Sequence, residues 1–236
     1  MSTTSYATIF LRRVMPGVLL CALLAPGAVF AGCSDPPSPG VDWSKCEKRR
    51  LILAERNLSG GRFVQTDFGR TDLSRVNFIS AQLSGASLDH ARLRGAHLSR
   101  AKLDKANGYR ADFSGARMME ADLSKAEMTR ANLSFADLTG AKLEKAELGR
   151  TLLRGAKLER ADLSGAELAR AVLSEAKLAG ARLEGAFLFR ARIEGVDLSG
   201  TTGLEQSQLE NTCGNANTKL PAGLKKPASW PCPPED

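Results

Sequence analysis

The sequence predicts a repeat solenoid, and three observations predict it. Every fifth residue from Leu58 to Leu198 is a bulky apolar side chain, with Gly108 the only exception in 29 positions. Two residues before each, from Ala81 to Ala191, alanine stands at 22 of 23 positions and Thr151 at the other. The residues between them are mostly polar or small, as in ADLSG, AKLEK and ARLEG. A period of five fits neither the roughly 3.6 residues of a helical turn nor the roughly 2.0 of a strand. Units this short bury their apolar side chains only by stacking on their neighbours.

Composition agrees. Only 6% of the 236 residues are aromatic, against 43% hydrophobic overall, which suits a narrow core lined by Leu and Ala. Four segments follow in order. Residues 1–32 read as an export signal: Arg12 and Arg13, the apolar run Val14 to Leu24, a break at Pro26-Gly27, and small residues at Ala31-Gly32. The run is too short to cross a bilayer as a mature helix. Two cleavage readings stand side by side. Val29-Phe30-Ala31 suits cleavage before Gly32, and Phe30-Ala31-Gly32-Cys33 resembles a lipoprotein box with Cys33 acylated. Phe30 stands where that box usually has leucine.

Residues 33–50 form a Pro-rich lead and cap, 51–202 the solenoid, and 203–236 a C-terminal cap and tail. Early repeats are irregular, with Gly61, Thr66, Thr71 and Val76 in the alanine slot and Phe63, Phe68 and Phe78 in the central one. Terminal repeats commonly depart from consensus in this way. After Thr201 the period stops; Gly203 to Leu209 is spaced as a short helix. A terminal coil exposes unpaired backbone groups, so something must cover it; Leu204, Leu209, Leu220 and Trp230 are the candidates.

Beyond the signal the cysteines are Cys33, Cys46, Cys213 and Cys232, one pair at each end of the array. Two disulfides, Cys33–Cys46 and Cys213–Cys232, suit an oxidising compartment. Lipid on Cys33 would instead leave Cys46 an odd thiol, buried in the alanine register. Removing 1–32 takes away only Arg12 and Arg13, so net charge falls from +7 to +5. That excludes a strongly acidic surface.

The array resembles the pentapeptide-repeat proteins, whose consensus A(D/N)LXX is legible in Ala121-Asp122-Leu123-Ser124-Lys125, Ala131-Asn132-Leu133-Ser134 and Ala161-Asp162-Leu163-Ser164-Gly165. The resemblance implies an all-β fold, a right-handed quadrilateral β-helix in which four pentapeptides make one square coil. The central and alanine slots would point inward and the other three positions outward. Stepping by 20 supports four units per coil independently: Arg70, His90, Arg110, Arg130, Arg150, Arg170 and Arg190 form one basic column. About seven coils at roughly 4.8 Å each predict a rod about 35 Å long. Gly108 falls between Leu88 and Met128 in its column, and flexible Met128 is suited to fill the gap.

Two surface features are candidates for contacts. Arg70, Arg110, Arg130, Arg150, Arg170 and Arg190 form an anion-binding ridge, unless Glu127, Glu147 and Glu167, three residues before Arg130, Arg150 and Arg170, compensate them in a charge ladder. Leu152, Val172, Phe187 and Phe189 form an outward apolar cluster, either an interface or a surface for the tail to cover. Catalytic motifs are missing from the sequence: His90 and His97 fall on different slots, and no Gly-rich phosphate loop, GxSxG or HExxH occurs. Neither cofactor nor metal is expected.

The expected function is a non-enzymatic, exported scaffold for protein interaction in the bacterial cell envelope, periplasmic or secreted. Its partner would be an unknown protein or a second copy docked through the C-terminal coils, and it would touch membrane only through lipid on Cys33. The alternative is a binder of anionic polymers, lipopolysaccharide or nucleic acid, through the Arg column. The resemblance supplies a further alternative, a DNA mimic that protects gyrase; the basic charge and the export signal weigh against it.

Overall fold

The computed structural model describes residues 32–231. The expected signal segment lies outside them apart from Gly32, as does Cys232.

The period of five becomes a square coil because each unit is a short extended step followed by a two-residue corner. Parallel bridges connect each second-slot residue to the one 20 positions later, from Asp42↔Arg62 through Arg182↔Thr202. The four stacked faces are the four bridge columns. The first runs from Asp42 to Thr202, the second from Glu47 to Phe187, the third from Ile52 to Arg192, and the fourth from Asn57 to Lys177. The fold is a right-handed quadrilateral β-helix. Central residues donate upward to the next coil, as Leu73 N–H to Arg92 O at 2.7 Å, and second-slot residues donate downward, as Arg92 N–H to Thr71 O at 3.0 Å. Most backbone groups in a face are thereby paired without a conventional sheet.

Inside, the alanine and central slots are buried from Leu58 on, as in Ala121, Leu123, Ala161 and Leu163, while Leu51 and Arg56 in the alanine slot of the first units stay exposed. The four early aromatics pack together, with Phe63 against Trp43 at 5.8 Å, Phe68 at 5.6 Å and Phe78 at 5.2 Å, mostly edge to face. Where threonine replaces alanine its hydroxyl needs a partner. Thr66 donates to Trp43 O at 2.6 Å and Thr151 to Met128 O at 3.1 Å. Met128 does fill the Gly108 gap: a β-carbon built on Gly108 would stand 2.4 Å from Met128 Sδ.

The A(D/N)LS consensus has a local cause. The Asx side chain accepts the N–H two residues on, as Asp72 from Ser74 at 3.0 Å and Asn132 from Ser134 at 3.1 Å. This Asx turn starts the corner. The next residue closes it at positive φ, as at Arg75 (φ 54) and Gly165 (φ 66).

The solenoid begins earlier than the expected residue 51. Asp42 already bridges to Arg62, and Val41, Trp43 and Cys46 occupy buried slots. The start was hidden because these residues replace the Ala/Leu code. Lys48 even occupies a central slot, its Nζ donating to Cys33 O at 2.6 Å and lying 3.8 Å from the Trp43 ring centroid. Burial pushes its ammonium below the usual lysine range, and the Asp35 charge opposes that shift. Cys46 keeps its alanine slot and bonds to Cys33 in a disulfide. The thioether lipid of the alternative reading would need this sulfur free.

At the other end the ladder gains one residue at Arg192↔Cys213 and another at Asp197↔Lys219. The inserted chain makes helix α1, Gln206–Leu209. Leu209 is fully buried, and Leu204, Leu220, Leu224 and Trp230 pack on the core beside it. Trp230 Nε1–H donates to Thr212 O at 2.8 Å. Cys213 is disulfide-bonded; its expected partner, Cys232, lies outside the described residues.

Candidate interaction surface

The basic column stands on the corner between the second and third faces, at the position that closes the turn. Arg70, His90, Arg110, Arg130, Arg150, Arg170 and Arg190 all have φ between 53° and 61°. Left-handed backbone disfavours side chains with a β-carbon by roughly 1–2 kcal/mol, so glycine is the easy choice. The other corners use it freely at the same position: Gly60, Gly140 and Gly180; Gly85, Gly165 and Gly185; Gly95, Gly115, Gly155 and Gly195. This corner never does. Arg50, at φ 55, extends it by one coil. Sequence stepping missed Arg50 because the solenoid was expected to start after it.

Backbone bonds hold the column in register. Arg110 N–H reaches Thr129 O at 3.2 Å, Arg130 N–H Gly149 O at 2.9 Å and Arg150 N–H Ala169 O at 2.8 Å. Its spacing is therefore that of adjacent strands, about 4.8 Å.

The expected charge ladder does not form. Among the described residues, no column arginine takes part in an ion pair. Glu127, Glu147 and Glu167 stand exposed on the flat second face, and Arg130, Arg150 and Arg170 at the corner beyond it. Elsewhere some arginines are paired, Arg94 with Asp112 at 2.6 Å, Arg154 with Glu175 at 2.7 Å and Arg192 with Glu194 at 2.7 Å, while Arg56, Arg92, Arg100, Arg117 and Arg160 are not. His90 alone in the column meets a carboxylate, its neighbour Asp89, at 2.8 Å. Two arginines lie against rings instead, Arg110 at 5.3 Å from Tyr109 and Arg190 at 5.5 Å from Phe189.

The apolar cluster divides across this corner. Phe187 and Phe189 stack at 6.1 Å and 11° on the second-face side. Leu152 and Val172 bridge to each other on the third face. The C-terminal cap borders the phenylalanines without covering them. Phe187, Phe189, Glu205, Gln208 and Asn211 line a cavity of about 320 Å³, and Phe187 stays 55% exposed. Phe135, which sequence reasoning passed over, is 62% exposed at the corner after the third face, over Gly155. Its corner slot is ordinarily polar or Gly, which was the available signal.

Among the described residues, no group of three or more His, Cys, Asp or Glu could hold a metal ion. No helix there is long and apolar enough to cross a membrane.

Fold and surface together define a β-solenoid with a continuous basic edge. The pentapeptide-repeat family model (Pentapeptide repeats, 8 copies) matches residues 57–89, 86–124, 131–167 and 166–202, and the chain belongs to that family. No curated protein matches it. Among solved structures it is similar to HetL, a pentapeptide repeat protein involved in heterocyst differentiation regulation from the cyanobacterium Nostoc sp. strain PCC 7120. The identity is 28% over 78% of this chain and 91% of that one, with a TM-score of 0.38. A pentapeptide repeat protein of the Arabidopsis thaliana thylakoid lumen shares 32% identity over 50% of this chain and 69% of its own, with a TM-score of 0.35. QnrB1, a plasmid-mediated fluoroquinolone resistance protein, shares 18% over 75% and 90%, with a TM-score of 0.44.

Proposed function

We propose that this protein is a non-enzymatic, exported scaffold of the bacterial cell envelope that works by presenting a fixed row of groups on a rigid rod. The observation carrying this reading is the basic corner: arginine in every coil but that of His90, at positive φ, with none of those arginines in an ion pair. Groups held in backbone register lose little conformational freedom on contact. Leu152 and Val172 on one side, and Phe187 and Phe189 on the other, supply apolar contact area beside the charges. A protein partner, including a second copy docked through the C-terminal coils, would use both.

Charge reversal tests the surface. Glu55, Glu120 and Glu175 already occupy the same turn position at other corners, so Arg130→Glu, Arg150→Glu and Arg170→Glu are compatible with the fold. Loss of association with envelope material on reversal is expected; unchanged association on a folded triple variant refutes the reading. Export is tested by the intact mass of the protein recovered from its native envelope fraction. A chain starting at Gly32 that gains about four hydrogens on reduction is expected for two disulfides. A chain starting at an acylated Cys33 would place it on the membrane, and an uncleaved chain with free thiols would reject export.

The second reading, an anionic-polymer binder, is favoured by the same unpaired arginines. Gyrase protection gains nothing comparable, since a basic edge repels the cationic surface that grips DNA.

A further inference from the structure

We propose that the second face of this rod docks on the second face of another copy, the two rods lying side by side and parallel about a two-fold axis that runs along them. The proposal rests on the basic corner being a contact surface and adds what it contacts, the acidic row of the other copy.

One face carries two unpaired rows of opposite charge. Glu127, Glu147 and Glu167 stand exposed in the second bridge column, and Arg130, Arg150 and Arg170 each follow by three residues at the corner. Among the described residues, none of the six takes part in an ion pair. Between the rows runs a lane of small residues, Thr129, Gly149 and Ala169. A β-carbon built on Gly149 would meet nothing closer than 3.9 Å, so the lane admits a close neighbour. A simple polyanion laid on the arginines would lie beside the glutamates and be repelled by them. This surface needs a partner with two rows of opposite sign at the same repeat. A second copy carries both, and its repeat matches because it is the same coil.

Symmetry fixes the orientation. A two-fold axis along the lane exchanges left for right and keeps height. It sets Glu147 against Arg150 of the partner subunit and Arg150 against Glu147 of the partner subunit, with the coils before and after paired likewise. An axis across the rods would keep left and right and set glutamate on glutamate, which like charges oppose.

The C-terminal end continues the pairing in another chemistry. In the next coil the acid position is Phe187, 55% exposed and stacked on Phe189, and the corner residue is Arg190. The same axis lays Arg190 against Phe187 of the partner subunit, a cation beside a ring; within one copy Arg190 already lies 5.5 Å from Phe189. Phe189, near the axis, meets its own counterpart, and the cavity of about 320 Å³ beside it leaves room for the incoming ring. Towards the N-terminal end Asp89 and Tyr109 occupy the lane, and Asp89 would face its own copy, so the contact stops short of it. Four coils at about 4.8 Å each make about 19 Å of contact. That is small for a protein interface, so the dimer should be reversible and weakened by salt.

Sedimentation equilibrium of the purified protein from micromolar to millimolar concentration decides it. The parent should approach the dimer mass, less so as salt rises. Two triple variants each make both rows alike: Glu127→Arg, Glu147→Arg, Glu167→Arg, and Arg130→Glu, Arg150→Glu, Arg170→Glu. Each should raise the dimer dissociation constant at least about a hundredfold. Both suit the fold, since Arg62, Arg92 and Arg182 already hold the bridge slot and Glu55, Glu120 and Glu175 the turn; a cooperative melt checks it. All six substitutions together exchange the rows, leave net charge unchanged and should restore the dimer. A six-fold variant that folds and stays monomeric overturns the row pairing. A parent that stays monomeric, or a dimer that both triple variants retain, overturns the docking. In that event, association with envelope material that the arginine variant still loses leaves the corner a contact surface, and association that it keeps overturns both.

Discussion

A single position shows how closely the core is filled. Gly108 and Met128 share one column, and Met128 occupies the volume a central side chain would take at Gly108. Gly108→Leu should destabilise by about 1–3 kcal/mol through overpacking. Met128→Ala alone should cost about 2–5 kcal/mol through the cavity it leaves. Combined, the two should cost less than their sum by about 0.5–3 kcal/mol, read from denaturant melts in a double-mutant cycle. Strict additivity would mean that they do not share the space. The surface counterpart is Arg150. Replacing it with glycine relieves a left-handed residue, so stability should hold or rise by about 1 kcal/mol while any ligand of the corner is lost. An arginine that costs stability and binds nothing would have no physical reason to recur at this corner in successive coils.

The unit of five residues carries the pH response. Asp72 lies below the usual carboxylate range chiefly because of hydrogen bonding to the Ser74 side chain, and next because it accepts the Ser74 N–H. Asp197 falls to about 2, first through Ser199 and then through Lys219. Folded values below the ordinary 3.8 mean that these carboxylates stabilise the fold at pH above about 4. That stability is lost as pH falls toward about 2, when the folded carboxylates take up protons. The melting temperature should therefore stay level from neutral pH to about 4 and drop below it. Asp72→Asn keeps the acceptor, as Asn57, Asn77 and Asn132 do in their own turns, and should blunt the drop. An acid limb that is identical in the variant would trace the response to other groups.

The repeating slots were legible because burial allows only Leu-sized and Ala-sized side chains at two positions in five, and coil length because one corner is always basic. What escaped the sequence depends on context. Trp43, Cys46 and Lys48 begin the solenoid without its code, because end positions answer to the cap that covers them rather than to a second coil. The strain at Arg150 is invisible in a pattern that also admits Gly155 at the equivalent place. Whether Glu147 meets Arg150 is decided by where the corner holds the arginine, and spacing of three residues does not encode that. Leu143 and Lys48 make the contrast concrete. Leu143→Lys puts a charge mid-stack with no carbonyl or ring to receive it and should abolish the cooperative melt, whereas Lys48 is tolerated because Cys33 O and Trp43 stand over it at the end.

At the scale of the whole rod, each coil contacts only its neighbours, so stability is a sum along one dimension and the ends are where opening starts. The two ends are closed differently. At the C-terminal end, α1, Leu209 and Trp230 cover the last coil with packed side chains. The N-terminal end has a flap instead, tied by Cys33–Cys46 and by the Lys48 Nζ bond to Cys33 O. Cutting the disulfide frees the residue that satisfies Lys48, so the charge loses a partner while it still occupies a core slot. For a closed loop of this size the link is worth about 3 kcal/mol. Hydrogen exchange should show the consequence locally. In the Cys33→Ser, Cys46→Ala variant, protection should fall for the first-coil amides of Trp43 and Lys48, which donate to Arg62 O and Asp67 O. Amides near Leu123 and Leu143 should keep theirs, because several intact coils separate them from the loosened end. A uniform loss along the chain would show that the rod opens as one unit and that the flap stabilises all of it. A loss confined to the first coil would show that the interior stack persists when the disulfide at its end is removed.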